Sequence, residues 1–346
     1  VRPWQTYVEN ALRAEHFMRR DADYIVRDNK VLLVDQYTGR IFTDRSWQDG
    51  LHQAVEWKEG VPLTAEKHAL ARISRQRFYG RYRNLCGMTG TATGHEAEFR
   101  DFYRLPVVVI PERIPSRRQG WPTRWFRSEE DKWRGITEEM RTLYHLGRPV
   151  LVGTRTIQES EGLSQVLSSL GLPHQILNGK QDDDEAALVA RAGERQTLTI
   201  ATNMAGRGTD IRLGPGIAEL GGLHVIATQR QESRRVDRQL IGRCGRQGDP
   251  GSYRFYVCAD DLLIQQFQPA LGDRLRAACG DKPEVTRGFE AEVDRVQRMA
   301  EAQRYEQRCQ LHRHDEWMND ILTTVAERSS SERDATPSRE RTRTRG

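Results

Sequence analysis

Apolar and polar positions along the chain change their period several times, and those changes divide it into segments. Val8, Leu12 and Phe17 are spaced loosely as on a helix, which predicts a helical opening over 8–20. Tyr24-Ile25-Val26 and Val31-Leu32-Leu33-Val34 are β-prone runs on either side of Asp28-Asn29. That pair suits a tight turn with positive φ, so the segment predicts a hairpin. Leu63 to Arg83 reads as a helix ending before Gly87-Met88-Thr89-Gly90-Thr91-Ala92, and the four prolines of Pro106 to Pro122 predict an extended connection.

From Trp121 to Phe267 short apolar runs alternate with helical stretches. Pro149 to Val152, His174 to Leu177, Thr197 to Ala201, Leu223 to Ala227 and Ser252 to Val257 read as strands. Thr156-x-x-Glu159 has the form of a capping box, opening a helix that runs to Leu170 and stops at Gly171. Further helices are predicted near 183–192 and 232–241. A βαβ succession of this kind implies an α/β fold, with a parallel sheet covered on both faces and sites gathered at the carboxyl ends of its strands. After Asp273 the pattern is helical and charge-rich, with Phe289, Val293, Val296 and Met299 as one apolar stripe; Ser329 to Gly346 has too little apolar surface to order itself.

Composition narrows the picture only modestly. A length of 346 residues allows two or three domains. No apolar run nears the ~18 residues that cross a bilayer, and no stretch reads as a signal peptide, so the expectation is a soluble chain. The five cysteines are an odd number spaced too widely for a C-x-x-C ligand pair, which argues for a reducing compartment and against disulfides or structural zinc. The net charge of +5 suggests mild attraction to anionic lipid or nucleic acid without choosing between them.

Three segments carry candidate chemistry. In Gln239-Leu240-Ile241-Gly242-Arg243-Cys244-Gly245-Arg246-Gln247-Gly248-Asp249, two arginines three apart are expected on one side of a helical turn, where both can approach a single anion. The glycines would let backbone come close to a ligand, and an arginine aimed at a γ-phosphate stabilises the charge spreading in the transition state. Ile200 to Ile211 follows a predicted strand and holds Gly206, Arg207, Gly208 and Asp210. Asp210 can bond a ribose hydroxyl or orient an arginine, and Arg207 can pair with phosphate or with a carboxylate of a partner lobe. Gly87 to Ala92 offers Thr89, Gly90 and Thr91 as a relay of phosphate state, although six such residues also make a plain loop.

In chain order the three segments resemble motifs III, V and VI of superfamily-2 motor ATPases, and most closely those of the SecA preprotein translocase ATPase family. Asp23 to Val26, Val34-Asp35-Gln36-Tyr37-Thr38-Gly39-Arg40, Trp47 to Glu56 and Glu232 to Asp237 are similar to that family's wording, and the likeness runs over residues 5–325. It implies that 1–62 is the end of a preprotein cross-linking clamp, 63–120 the end of a first nucleotide-binding lobe and its linker, 121–268 a second RecA-like lobe, 269–328 the start of a helical scaffold, and 329–346 a disordered tail. It implies ATP and Mg²⁺ held mainly by the first lobe, with Arg243 and Arg246 as arginine fingers. Asp210 would contact the nucleotide, Gly206, Gly208, Gln239 and Gln247 would lie beside it, and Arg207, Thr89, Gly90 and Thr91 would couple the lobes. The implied partners are an unfolded preprotein, the Sec channel, anionic lipids and the first lobe of a full motor, with no specific nucleic acid. The implied location is cytoplasmic, peripheral on the inner face of the bacterial plasma membrane.

Departures from the family are also legible. No G-x-x-x-x-G-K-[ST] occurs, since Gly179-Lys180 is followed by Gln181, and no strand-borne DExD pair stands out; Asp182-Asp183-Asp184-Glu185 opens a predicted helix, where carboxylates complement the dipole. The expectation is therefore no ATP hydrolysis by this chain alone. Cys244 stands where the family has serine, Gly214-Pro215-Gly216 replaces a longer insertion, and Leu311 to Glu316 matches the scaffold wording only in part. His312 and His314, without cysteine partners, read as surface. Two other readings remain: a nucleic-acid helicase fragment, against which no basic patch with interleaved aromatics is read, Trp121, Trp125 and Trp133 clustering near the linker instead; and a non-catalytic polypeptide-binding or regulatory module.

Overall fold

The structure, a computed structural model, describes residues 3–34, 41–66, 73–177, 185–202, 209–285 and 288–334. It falls into two compact units, one made of 1–70 with 110–300, the other of 71–109 with 301–346.

The first unit opens with α1 (Trp4–His16), the strands β1 (Tyr24–Arg27), β2 (Lys30–Val34) and β3 (Ile41–Phe42), and α2 (Leu51–Lys58). The expected hairpin is present, with Asp28 at φ 52° and Asn29 at φ 56°, values the short polar side chains of Asp and Asn tolerate. Ala14, Tyr24, Val31, Leu51 and Val55 form its small core, while Ile25 and Leu32 on the opposite hairpin face pack on Ile157.

The second unit holds α3 (Arg75–Tyr79) and α4 (Glu96–Tyr103). The long helix expected from Leu63 is absent among the described residues: Leu63 to Glu66 are non-helical and only 75–79 coil. Its start is spoiled by Pro62 and by Thr64, whose N–H and Oγ1 both donate to the Glu56 carboxylate at 2.9 and 2.8 Å. Ser74 then caps a new helix that Gly80 ends.

The rest of the first unit is an α/β lobe. In chain order it contains β4 (Arg117–Gly120), β5 (Arg124–Phe126), α5 (Glu129–His145), β6 (Val150–Thr154), α6 (Ile157–Ser169), β7 (Gln175–Leu177), α7 (Glu185–Arg191), β8 (Leu198–Thr202), β9 (Leu223–Ala227), α8 (Arg234–Ile241), β10 (Pro250–Cys258), α9 (Leu262–Phe267), α10 (Pro269–Cys279), β11 (Glu284–Val285) and the first turns of α11 (Glu290–Asp334), whose residues from 301 on belong to the second unit. The sheet runs β11-β5-β10-β9-β6-β8-β7, with β4 also on β10, and every pair is parallel except β11 with β5. The segment expected as a plain connection thus contains a strand. Arg117 to Gly120 has no apolar signature and becomes β4 through pairing with β10. Trp125, read from sequence as part of a tryptophan cluster near the linker, is 1% exposed in the sheet core.

Strand alternation divides the core. Leu151, Val225, Phe255 and Val257 meet α7 to α11 on one face; Val150, Val152, Ile226 and Tyr256 meet α5 and α6 on the other. Thr156 caps α6 as expected, accepting from Glu159 N–H at 3.1 Å. On α11 the buried stripe is Val293, Val296 and Ala300, whereas Met299 is 49% exposed; the helical period favours Ala300 over its neighbour. Helix α11 continues to Asp334, past the expected end of order at 328, because propagating an existing helix costs little.

One approach is unusually close. A Cβ on Gly153 would lie 2.5 Å from Leu240 Cδ2, so the missing side chain is what lets α8 lie down on β6. Gly153→Ala should cost about 1–3 kcal/mol, read as a lower urea midpoint, because Leu240 is buried and has little room to yield.

On the α5 face lies a buried polar chain. Arg148 Nη2 donates to Ser252 Oγ at 2.6 Å, Ser252 Oγ is 2.6 Å from His224 Nδ1, and His224 Nε2 is 3.0 Å from Glu139 Oε1. A neutral imidazole protonated on Nε2 suits both neighbours. Burial pushes the His224 pKa down. Burial raises that of Glu139, but His224, Tyr256 and Arg254 outweigh it and hold the carboxyl below its usual range. Both shifts have the same sign for stability: the unfolded chain binds protons the folded one does not, so stability is lost as pH falls. Going from about pH 7.5 to about pH 5.5, through the ordinary histidine range, should lower the urea midpoint, and His224→Gln should flatten that dependence.

Candidate functional site

Helix α8 is capped by Ser233, whose side chain accepts from Arg235 N–H, and ends at Ile241. Arg243 and Arg246 therefore do not share a helical turn, as their spacing predicted; they sit in the irregular loop 242–249. Backbone explains the difference. Gly242 at the end of α8 is still right-handed, but Gly245, between the two arginines, has φ of 62°, and Gln247 and Gly248 follow at 55° and 82°, so the helical path is broken before Arg246.

The loop nevertheless brings both arginines to one place. Arg246 Nη1 donates to Asp210 Oδ1 at 2.8 Å and its Nε donates to Gly242 O at 2.9 Å. Arg243 Nη1 donates to Thr209 O at 3.3 Å. Adjacent residues of the segment after β8 thus receive both guanidinium groups. Arg243 also lines a small pocket with Thr202, the last residue of β8, and with Leu177, Ile211 and Leu240. The Arg246 and Asp210 side chains stay 38% and 46% exposed, so their ion pair faces water.

Of the other residues singled out from sequence, Gln239 is half-buried on α8 and Gln247 is exposed at the loop tip. Gly206, Arg207 and Gly208 lie outside the described residues, as do Asp35 to Arg40 and Gly179 to Asp184. Thr89, Gly90 and Thr91 belong to the other unit. There Thr91 N–H donates to Thr89 Oγ1 at 3.2 Å, the two hydroxyls are 3.1 Å apart, and Thr91 is 7% exposed. His312 stacks edge-on against Phe102, while His314 is exposed beside Trp317. No group of three metal-ligating side chains stands together among the described residues.

Cys244, the departure between the two arginines, points away from the site. It is 1% exposed, and its Sγ lies 3.2 Å from Ile241 O and 3.3 Å from Ser252 O, between which its single S–H is shared. Burial pushes its pKa up to about 11, so it remains a thiol and packs as a small apolar group. Arg118 of β4, which sequence reasoning passed over, supports the loop from below: its Nε donates to Cys244 O at 2.8 Å, and a Cβ on Gly245 would lie 2.8 Å from Arg118 Cβ. Its only sequence signal is a basic pair, Arg117-Arg118, in a proline-rich stretch.

Sequence reasoning also missed an alternation of basic and aromatic residues, Arg75-Gln76-Arg77-Phe78-Tyr79-Gly80-Arg81-Tyr82-Arg83. Phe78, Tyr79 and Tyr82 pack on one another with centroids 5.4–6.4 Å apart, yet each is more than 40% exposed. The Ser252–His224–Glu139 chain, by contrast, is not a hydrolytic triad. Ser252 is 2% exposed, it accepts from Arg148, and it faces Nδ1 while the carboxylate faces Nε2.

The SecA preprotein cross-linking domain family matches residues 2–56, and the SecA P-loop domain family matches 115–217 and 215–279. Curated relatives named protein translocase subunit SecA include those of Solidesulfovibrio magneticus (46% identical over 319 residues), Desulfovibrio desulfuricans (47% over 322) and Elusimicrobium minutum (43% over 336). These alignments cover 91–93% of this chain but 37–39% of the relatives, so the chain spans under two fifths of their length. Among solved structures, the yeast DEAD-box splicing factor Prp28 is 16% identical with a TM-score of 0.38, covering 61% of this chain and 44% of that one. The E. coli DEAD-box protein SrmB is 21% identical with a TM-score of 0.33, covering 44% and 83%. Likeness that distant adds no argument. The relatives settle the question: with 43–47% identity over 91–93% of its length, the chain belongs to the SecA family.

Proposed function

We propose that this chain supplies the second lobe of an ATP-driven motor that moves unfolded preproteins across a membrane, and that its role in hydrolysis is to present Arg243 and Arg246 to a triphosphate held by a first lobe. The observation that carries this reading is the convergence of both arginines on Thr209 and Asp210. Asp210 orients Arg246 at rest. An exposed pair of this kind is worth at most about 1 kcal/mol, so a phosphate can draw the guanidinium off cheaply. Once desolvated between two lobes, the same guanidinium stabilises developing phosphoryl charge far more strongly. Thr89, Gly90, Thr91 and Arg207 are proposed to couple the lobes, and Gly206, Gly208, Gln239 and Gln247 to lie around the nucleotide.

ATP and Mg²⁺ are assigned mainly to the first lobe. This chain has no phosphate loop in its sequence, and Asp210, the carboxylate beside the arginines, shares an oxygen with Arg246. The exposed aromatics Phe78, Tyr79 and Tyr82 fit a surface that the remainder of such a lobe covers, consistent with assigning 63–120 to its end. Residues 1–62 are assigned to the preprotein clamp, 121–268 to the second lobe, 269–328 to the scaffold and 329–346 to a tail. The proposed setting is the inner face of the bacterial plasma membrane, with the Sec channel and anionic lipids as partners. No helix among the described residues is long and apolar enough to cross a membrane.

The isolated chain should show no ATPase activity, and mixing it with a first lobe from a SecA relative should restore turnover. Arg246→Ala should then lower kcat on the order of 10³-fold. Stimulation by an unfolded secretory protein supports export. Stimulation by RNA alone, with none by polypeptide, overturns that part of the reading in favour of a helicase. No restoration in any mixture favours a non-catalytic binding module.

A further inference from the structure

Asp237 lies midway along α8, 4% exposed, and accepts three hydrogen bonds. Its Oδ2 receives Arg230 Nε at 2.8 Å and Gln297 Nε2 at 2.7 Å, and its Oδ1 receives Gln231 N–H at 2.9 Å. Gln297, on α11, is fully buried; its Nε2 also donates to Gln231 O at 2.7 Å, and its Oε1 accepts from Arg230 Nη2 at 2.9 Å. Arg230 Nη2 lies 3.0 Å from Asp294 Oδ1, also on α11, and the guanidinium lies 4.7 Å from the centre of the Phe255 ring. One carboxylate, one amide and one guanidinium thus join α8, the turn before it and α11.

Such a cluster is an inefficient source of stability. Burial pushes the Asp237 carboxyl up to about 6 even though Arg230, Gln297 and Gln231 all pull it down. Apolar residues of the same volume often stabilise a core as well or better. What the cluster provides instead is register. Leucine-like contacts allow a helix to slide or turn, whereas these donors and acceptors meet in one relative placement of α8 and α11. Register matters here because the arginine loop begins directly after α8, and Gly242 O holds Arg246 Nε.

We propose that Asp237 and Gln297 are positioning residues that lock α8 to the scaffold helix α11, so that the arginine loop 242–249 takes its place from α11. The lock touches no nucleotide; its catalytic consequence, though not the lock itself, rests on the proposal that Arg246 acts on phosphate. Any displacement of the first turns of α11 would then be carried into the arginines.

The test is hydrogen exchange by mass spectrometry on the full chain, comparing peptides over 242–249 with strands β6, β8 and β9. Asp237→Asn sets an amide N–H₂ against Gln231 N–H or, flipped, against the Arg230 and Gln297 donors, and Gln297→Glu faces a second carboxylate toward Asp237 and Gln231 O. Each should speed exchange of 242–249 by about tenfold while the strands keep their protection. Gln297→Met, close to glutamine in volume, keeps the packing but removes both the donor and the acceptor, and should speed exchange of 242–249 as the other single variants do. Loss of protection in this volume-matched variant is a result that lost packing alone does not produce. In the mixture with a first lobe, the single variants should lower kcat and leave KM for ATP unchanged. The proposal is overturned if the single variants leave 242–249 as protected as before, if all strands lose protection together, or if Gln297→Met keeps the loop protected. Arg246→Ala separates the two ideas: retained turnover in that variant removes the phosphate role, while the exchange data still decide the lock.

Discussion

The whole arginine site depends on one steric constraint, the approach of α8 to the sheet over Gly153. Leu240 occupies the space a side chain at 153 would fill, and that contact sets the height of the helix above β6. From this height the rest of the loop follows. Cys244 drops into the core beside β10, and Gly251 has no room for a Cβ, which would lie 2.5 Å from Gly245 N. With Cys244 inward and Gly245 in a left-handed conformation, Arg243 and Arg246 are left to face the segment after β8. Serine and cysteine are nearly isosteric and the buried thiol bonds only to backbone carbonyls, so the departure at 244 does not disturb this arrangement.

The two kinds of ion pair in the lobe behave differently, and the difference matches their positions. Arg246–Asp210 is exposed on both sides, weak, and able to exchange partners. Arg230–Asp237 is buried and embedded among further hydrogen bonds, so breaking it strands a charge in the core. Strength is therefore placed where α8 is fixed, and weakness at the guanidinium that the proposed function draws off its partner.

Much of the lobe was legible in the sequence because its signals are local. Asp28-Asn29, the Thr156 cap and five short apolar runs each announce their element through neighbouring residues. What was illegible is non-local. Arg117 to Gly120 is a strand only because β10 supplies hydrogen-bond partners more than a hundred residues later. Leu63 looks helical until the Glu56 carboxylate takes both donors of Thr64. The arginine spacing suggested a shared helical turn, and the left-handed Gly245 between them replaced it with a loop whose arginines converge on Thr209 and Asp210. The identities of the arginines were readable; the geometry that brings them to Asp210 was not. Neither was Gln297, sixty residues from Asp237 and unremarkable in a helix full of glutamine and arginine.

The opposite faces of the sheet hold two polar networks built for the same mechanical end. On the α5 side, Arg148, Ser252, His224 and Glu139 link the starts of β9 and β10 to α5, and Trp121 closes the top with its ring 4.5 Å from His224 and 4.7 Å from the Arg254 guanidinium. On the α8 side, Asp237, Arg230 and Gln297 join the turn after β9 to α11. Apolar packing alone would hold both faces together but would leave helices free to adjust by fractions of a turn. Under the proposed function that freedom is costly, because a displacement of about 1 Å at a phosphate costs on the order of 10²-fold in rate. Buried polar chains that add little net stability are intelligible in those terms: they fix where β9 and β10 begin and where α8 lies, and the arginine loop spans the interval between α8 and β10.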